Sequence, residues 1–80
     1  MQKKVVTPFD FKKLKDHWGA PIVARDQVEK FSGGALNRRT LANLDSKGEG
    51  PRGRFKVGRK VCYSADALCD WIAERVRTVG

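Results

Sequence analysis

Side chains that bind metals or carry out catalysis are scarce in this sequence. His17 is the only histidine, and the two cysteines, Cys62 and Cys69, are seven residues apart, which matches no zinc-ligand spacing. The sequence also lacks a Gly-x-Ser-x-Gly motif, a phosphate-binding glycine loop and a cluster of carboxylates. We therefore predict that the protein is not an enzyme and has no metal, no cofactor and no small-molecule substrate.

Long hydrophobic runs are absent as well. No stretch approaches the length of a membrane span, and the first residues contain no apolar run long enough for a signal peptide. These absences predict a cytoplasmic protein that does not bind membranes. Because disulfides are not expected in the cytoplasm, Cys62 and Cys69 are predicted to be small, buried hydrophobic residues.

Acidic residues are missing from one segment of this strongly basic chain, whose net charge is +8. Residues 52–63 contain no Asp or Glu and hold five cations: Arg52, Arg54, Lys56, Arg59 and Lys60. Basic residues that only keep a surface soluble are usually interspersed with acids. The concentrated charge therefore favours a polyanionic partner, and we predict that this partner is double-stranded DNA.

Eighty residues accommodate one folded domain, and residues 1–21 are predicted to form a basic N-terminal arm beside it. Apolar residues in the arm recur at spacings of three and four, which predicts a short helix within residues 9–18. The apolar face of this helix has no evident place in the core of the domain formed by residues 22–80. The arm residues that are candidates for self-association are therefore Phe9, Phe11, Leu14 and Trp18.

Two short helices joined by a glycine turn are predicted at the start of the domain. Val28 and Phe31 share one face of a helix over residues 25–31, and a Gly-Gly pair ends it. Asn37 is a good N-cap for a second helix, from Arg38 to about Ser46, whose apolar face is formed by leucines. This arrangement is typical of a helix-turn-helix.

The side of the second helix that faces away from its leucines carries side chains suited to DNA bases. Arg can pair with guanine, Asn can pair with adenine, and a small Ala permits close approach. The alternative is that this face is only solvated. The candidate reading residues are Arg38, Arg39, Ala42, Asn43 and Ser46.

A basic β-hairpin is predicted after the second helix. With a three-residue loop over residues 58–60, Val57 faces Val61 and Phe55 faces Tyr63, so that all four apolar side chains share one face. Phe55 and Tyr63 are predicted to pack in the core; the alternative is that they stack on bases of single-stranded nucleic acid. A two-residue loop would divide this set between two faces, and we do not expect it. The basic side chains of Arg54, Lys56, Arg59 and Lys60 then lie on the opposite face and at the tip, which makes the hairpin a basic wing. Together with Arg52 they are the candidate DNA-binding residues of the wing, where they would contact the backbone or the minor groove; the alternative is a solvated hairpin.

A last helix is predicted from the capping residue Ser64 onwards, with Asp66 in its first turn. Its buried stripe is formed by Leu68, Ile72 and either Trp71 or Val76. The order of helix, turn, helix, hairpin and helix predicts a mainly α fold with a small β-hairpin, of the winged helix-turn-helix kind.

Residues 23–72 are similar to one group of small DNA-binding proteins. The similarity is carried by residues 36–44 (LNRRTLANL), 48–51 (GEGP), 55–63 (FKVGRKVCY) and 66–72 (DALCDWI). These segments resemble winged helix-turn-helix proteins related to the MerR DNA-binding domain. The group includes excisionases of bacteriophages and mobile elements, also called recombination directionality factors, and AlpA-like regulators. Ala24 differs from the group, whose members often have a capping Thr or Ser there.

The resemblance implies an excisionase, whose copies bind DNA side by side and cooperatively, bend it, and direct a tyrosine recombinase integrase towards excision. It also implies that Arg38, Arg39 and Asn43 read bases, while Arg59 and Lys60 act from the wing. One alternative is an AlpA-like transcriptional regulator that binds a single operator. A lesser alternative is a basic adaptor that binds an acidic protein, which would show no sequence-selective retention of DNA.

Overall fold

The computed structural model describes residues 9–77, which contain four α-helices, a short 3₁₀ helix and three strands of one antiparallel sheet. In chain order the elements are α1 (Lys12–Trp18), β1 (Ile22–Ala24), the 3₁₀ helix (Arg25–Gln27), α2 (Val28–Phe31), α3 (Arg38–Ser46), β2 (Phe55–Val57), β3 (Lys60–Ser64) and α4 (Ala65–Glu74). The predicted combination of a mainly α fold with a small β-hairpin is confirmed. No helix in the described part of the chain is long and apolar enough to cross a membrane.

The helices agree closely with their sequence signals. The segment predicted as one helix over residues 25–31 begins with the 3₁₀ turn and continues as α2, which buries Val28 and Phe31. In α4, the Ser64 hydroxyl oxygen accepts a hydrogen bond from the Ala67 backbone nitrogen at 3.0 Å, as a helix cap does. Trp71 is buried, so it completes the apolar stripe of α4. Both cysteines are buried and free, as predicted.

Helix α1 packs against the core, and this corrects the expectation that its apolar face has no place there. Phe11, Leu14 and Trp18 are partly buried against the core cluster. The Trp18 ring meets the ring of Phe31 edge-on at 5.7 Å, and its indole nitrogen donates to the Ile22 carbonyl oxygen at 3.0 Å. Three of the four candidate self-association residues therefore contribute to the fold itself. The fourth, Phe9, is 43% exposed.

Ion pairs join α1 to α4. The Lys15 ammonium lies 2.9 Å from an Asp66 carboxylate oxygen, and the Lys12 ammonium lies 2.9 Å from Asp70 and 3.5 Å from Asp66. The hydrogen bond from Lys15 holds the pKa of Asp66 below its ordinary value of 3.8. Because these side chains are exposed, each pair adds little to stability by itself. Together they place α1 across α4.

We expect Asp66→Asn to lower the melting temperature slightly at neutral pH. The Asp66 carboxylate has a lowered pKa in the folded protein, so its stabilising effect is present above the unfolded value of 3.8 and disappears as the pH falls through the folded value. Thermal unfolding should therefore distinguish the variant from the wild type at about pH 7, and the difference should shrink as the pH falls below the unfolded value and through the folded value. Asp16→Asn, which alters an exposed acid on α1, is the control. A difference that persists at low pH would contradict this origin.

The sheet contains a strand that the sequence reasoning missed. Strand β1 pairs antiparallel with β3, which is central in the order β1-β3-β2. Val23 is the register partner of Tyr63, and both side chains are fully buried in the core. A three-residue strand carries too short a pattern to be recognised alone. It forms because β3 offers a free edge and the core accepts Val23.

The predicted hairpin register is wrong. Val57 pairs with Lys60 and Phe55 with Cys62, so the loop has two residues, Gly58 and Arg59, rather than three. A glycine with positive φ is favoured at the first position of such a loop, and Gly58 has a φ of 61°. Phe55 and Val57 consequently lie on the outer face of the sheet, 40% and 56% exposed. The prediction that Phe55 packs in the core is therefore wrong as well.

Candidate nucleic-acid interface

Helix α3 is capped and oriented from its first residue. The Asn37 side-chain oxygen accepts hydrogen bonds from the backbone nitrogens of Arg39 at 2.9 Å and Thr40 at 3.2 Å. The Asn37 amide nitrogen donates to a Glu29 carboxylate oxygen on α2 at 3.1 Å. One side chain thus satisfies two free N–H groups of α3 and ties the start of the helix to α2.

The two sides of α3 differ as predicted. Leu41 and Asp45 are buried, and Leu44 is half-buried beside them. The opposite side presents the candidate reading residues, all of them exposed except the half-buried Ala42: Arg38, Arg39, Ala42, Asn43 and Ser46. The Ser46 hydroxyl donates to the Asn43 carbonyl oxygen at 2.8 Å, so it is already engaged within the helix.

A cleft of about 360 Å³ lies between α3 and the β2–β3 hairpin. Its lining consists of Arg25, Asp26, Arg38, Arg39, Ala42, Arg59, Lys60 and Val61. We call this the basic cleft, because five of its lining residues are cationic and one is acidic. The structure thus brings two predicted reading arginines together with the two cations predicted at the hairpin tip. In the described part of the chain, Arg38, Arg39 and Arg59 form no ion pair.

The only acid of the basic cleft is paired with a hairpin lysine. The Lys60 ammonium donates to an Asp26 carboxylate oxygen. This hydrogen bond holds the pKa of Asp26 below its ordinary value, so the group is ionised at neutral pH. Asp26 therefore positions Lys60 and also reduces the positive charge that the basic cleft offers to an anion.

A buried polar cluster lies behind the basic cleft. Asp45, only 3% exposed, accepts hydrogen bonds on one carboxylate oxygen from the Tyr63 hydroxyl and from Arg25 Nη2, the latter at 2.6 Å. The Arg25 Nε donates to the Tyr63 oxygen at 2.9 Å. Burial and the neighbouring carboxylate raise the pKa of Tyr63 to about 12, so its hydroxyl keeps its proton and donates. The cluster connects the 3₁₀ helix, α3 and β3.

The second carboxylate oxygen of Asp45 has tight surroundings. It is the only buried side-chain oxygen or nitrogen between residues 9 and 77 without a hydrogen-bond partner. The Arg54 Nη1 lies 4.0 Å from this oxygen, which is too far for a hydrogen bond. A Cβ at Gly50 would lie only 1.8 Å from this oxygen. The chain can pass Asp45 at this point because residue 50 has no side chain.

The other three basic residues of the segment 52–63 are not among the residues that line the basic cleft. Arg52 borders a separate depression that also includes Glu49, Glu74 and Arg75. Arg54 is exposed and extends towards Asp45. Lys56 is the register partner of Val61, which lines the basic cleft. Of the five cations of residues 52–63, only Arg59 and Lys60 are among the residues that line the basic cleft.

Sequence reasoning missed three residues of this region: Arg25, Asp26 and Asp45. Arg25 and Asp26 stand at the start of the helix predicted over residues 25–31, where the helix dipole favours an acid, so Asp26 by itself gives no sign of a site. Asp45 lies within the apolar side of α3, next to Leu44 and one turn after Leu41. An acid in that position was a usable signal, because a buried carboxylate requires a partner.

Comparison of the sequence with models of known protein families and with curated protein sequences gave no match.

Proposed function

We propose that the protein binds double-stranded DNA as a winged helix-turn-helix, with α3 as the recognition helix and the β2–β3 hairpin as the wing. The observation that carries this proposal is the basic cleft. Helix α3 contributes Arg38 and Arg39 to one side of the cleft. The hairpin, which is distant from α3 in sequence, contributes Arg59 and Lys60 to the other side. A phosphate backbone running between the two elements would meet cations from both sides.

The exposed side of α3 suits the major groove of DNA. Arg39 and Asn43 are one helical turn apart, and the small half-buried Ala42 lies between them. An α-helix fits this groove, where Arg can donate two hydrogen bonds to guanine and Asn can recognise adenine. Arg38, at the capped start of α3, would contact the phosphates beside the groove.

The hairpin suits the neighbouring backbone or minor groove. Arg59 occupies its two-residue loop and is exposed, and Lys56 on β2 is exposed as well. A two-stranded ribbon with a cation at its tip can enter a minor groove or bridge its phosphates. We therefore assign base reading to α3 and mainly backbone contacts to the hairpin.

We further propose, from the sequence resemblance, that the protein is an excisionase. Several copies would bind side by side, bend the DNA and direct a tyrosine recombinase integrase towards excision. Phe11, Leu14 and Trp18 are partly buried against the core, so contacts between copies would use their exposed parts together with Phe9. Deleting α1 would expose Phe31 and hence cannot separate self-association from folding.

A gel-shift titration against DNA fragments tiling the neighbourhood of the gene tests this proposal. The fragments that bind are then circularly permuted. A cooperative ladder with position-dependent mobility supports several bending copies, whereas a single unbent shift at a promoter favours an operator-binding regulator. Absence of selective retention contradicts DNA recognition and favours an adaptor. For contacts to about five to eight phosphates, the slope of log affinity against log salt should be about −5 to −7.

Asn43→Ala and Arg59→Ala should affect DNA binding in different ways. Loss of a base contact at Asn43 should cost about 1 to 3 kcal/mol on the preferred sequence and little on random DNA. Loss of a phosphate contact at Arg59 should weaken both kinds of DNA and make the salt slope shallower by about one. Fluorescence anisotropy with both DNAs measures these effects, and Lys30→Ala on α2 is the control. Equal losses on both DNAs for Asn43→Ala would remove it from the reading residues.

A further inference from the structure

Arg25 is a cation of the basic cleft that belongs to neither α3 nor the hairpin. It is the first residue of the 3₁₀ helix, and it lines the cleft together with Arg38 and Arg59. Its guanidinium is held by Tyr63 at 2.9 Å and by Asp45 at 2.6 Å, and 25% of its side chain is exposed. Two hydrogen bonds therefore fix the Arg25 guanidinium at the wall of the basic cleft.

The geometry leaves part of the Arg25 guanidinium available. A guanidinium carries five N–H bonds, and two of them bind Tyr63 and Asp45. Both partners are buried, so the exposed part of Arg25 is directed away from them, on the side that borders the basic cleft. The remaining three N–H bonds have no hydrogen-bond acceptor in the described part of the chain.

We infer that Arg25 is a phosphate ligand at the wall of the basic cleft, with Asp45 and Tyr63 as its positioning residues. This inference rests on the proposed DNA binding, where the phosphate belongs to the backbone passing between α3 and the hairpin. Folding has already restricted the side chain, so binding a phosphate costs little further rotamer entropy. The planar guanidinium can bind phosphate with two parallel N–H bonds while its other side stays on Asp45 and Tyr63.

The negative charge of Asp45 does not cancel this role. The Asp45 carboxylate lies near two arginines, since Arg54 is 4.0 Å from its second oxygen. Arg25, Arg54 and Asp45 together therefore carry a net charge of +1. The carboxylate also lies behind Arg25 and away from solvent, at 3% exposure, so an incoming phosphate meets the guanidinium first.

Arg25→Lys tests the inference because it keeps the charge and removes the planar fork. We expect about tenfold weaker binding to specific and random DNA alike, with an unchanged salt slope. Tyr63→Phe removes one of the two positioning hydrogen bonds and should weaken binding about threefold. Arg75→Lys, on an exposed arginine that stacks on Trp71 outside the basic cleft, is the matched control and should bind like the wild type. Wild-type affinity of both Arg25→Lys and Tyr63→Phe would overturn the inference.

A titration of the full-length wild-type protein with inorganic phosphate separates this inference from the proposed function. In ¹⁵N spectra of arginine side chains, phosphate should shift the Nε–H signal of Arg25 and leave that of Arg75 unchanged. If the Arg25 signal does not respond, Arg25 is not a phosphate ligand, even where the protein binds DNA. If it responds in a protein that retains no DNA, the phosphate site is supported and the proposed function fails. The titration needs no variant, so it also tests whether Arg25 binds phosphate if Arg25→Lys does not fold.

Discussion

Gly50→Ala is expected to lower the free energy of unfolding by about 3 kcal/mol, because it disrupts a buried ion pair. The added Cβ would lie 1.8 Å from one Asp45 carboxylate oxygen and 2.9 Å from the carboxylate carbon. The carboxylate cannot rotate away without leaving Tyr63 and Arg25. In a domain of this size the loss corresponds to a fall in melting temperature of more than about 10 °C, measurable by circular dichroism.

Gly53→Ala is the matched control for this prediction. A Cβ at Gly53 meets no atom within 4 Å, but the backbone there has a φ of +72°. This variant therefore carries only the cost of a left-handed conformation, about 1 to 2 kcal/mol. A double variant identifies the cause: in an Asp45→Ala background, Gly50→Ala should cost little more, because the clashing oxygen is gone. Simple additivity of the two single losses would show that the carboxylate is not what requires glycine at position 50.

Asp26→Asn is expected to tighten DNA binding about tenfold near physiological salt and to make the salt slope steeper by about one. The substitution removes the only negative charge of the basic cleft and releases Lys60 from its ion pair. Lys60 can then bind a phosphate without an acid competing for its ammonium group. Affinities measured by anisotropy at several salt concentrations give both quantities.

Asp16→Asn makes the same change of charge on α1, and Asp16 is not among the residues that line the basic cleft. It should leave the affinity within about twofold of the wild type, because charges far from the interface are screened. If both substitutions tighten binding equally, only the net charge of the protein matters and the position of Asp26 does not. If Asp26→Asn weakens binding, Asp26 serves chiefly to orient Lys60 for its contact with DNA.

The helices were predictable because their signals are local. Asn37 caps α3 and Ser64 caps α4, and both caps act within three residues of the helix start. The apolar spacing in residues 9–18 likewise indicated a helix. The role of its apolar face was not predictable, since Trp18 packs on Phe31 and the α1 lysines pair with acids of α4.

The hairpin shows where local reasoning failed. The expectation that Phe55 and Val57 join Val61 and Tyr63 on one face assumed that every apolar side chain of the hairpin is needed in the core. The core is instead completed by Val23 of β1 and by α1, so Phe55 and Val57 remain on the outer face. The preference of Gly58 for a two-residue loop then decided the register.

The places of the helices, the strongly basic character of the chain and the outward side of α3 could all be predicted from the residues alone. These properties depend on caps, on helical periodicity and on composition, all of which act over a few residues. Three relations arise only when the chain folds. Arg38 and Arg39 share the basic cleft with Arg59 and Lys60. Asp26 lowers the positive charge of the cleft, and Asp45 and Tyr63 hold Arg25 at the wall of the cleft. Those relations join residues about 18 to 38 positions apart, and such contacts exist only once the core has packed.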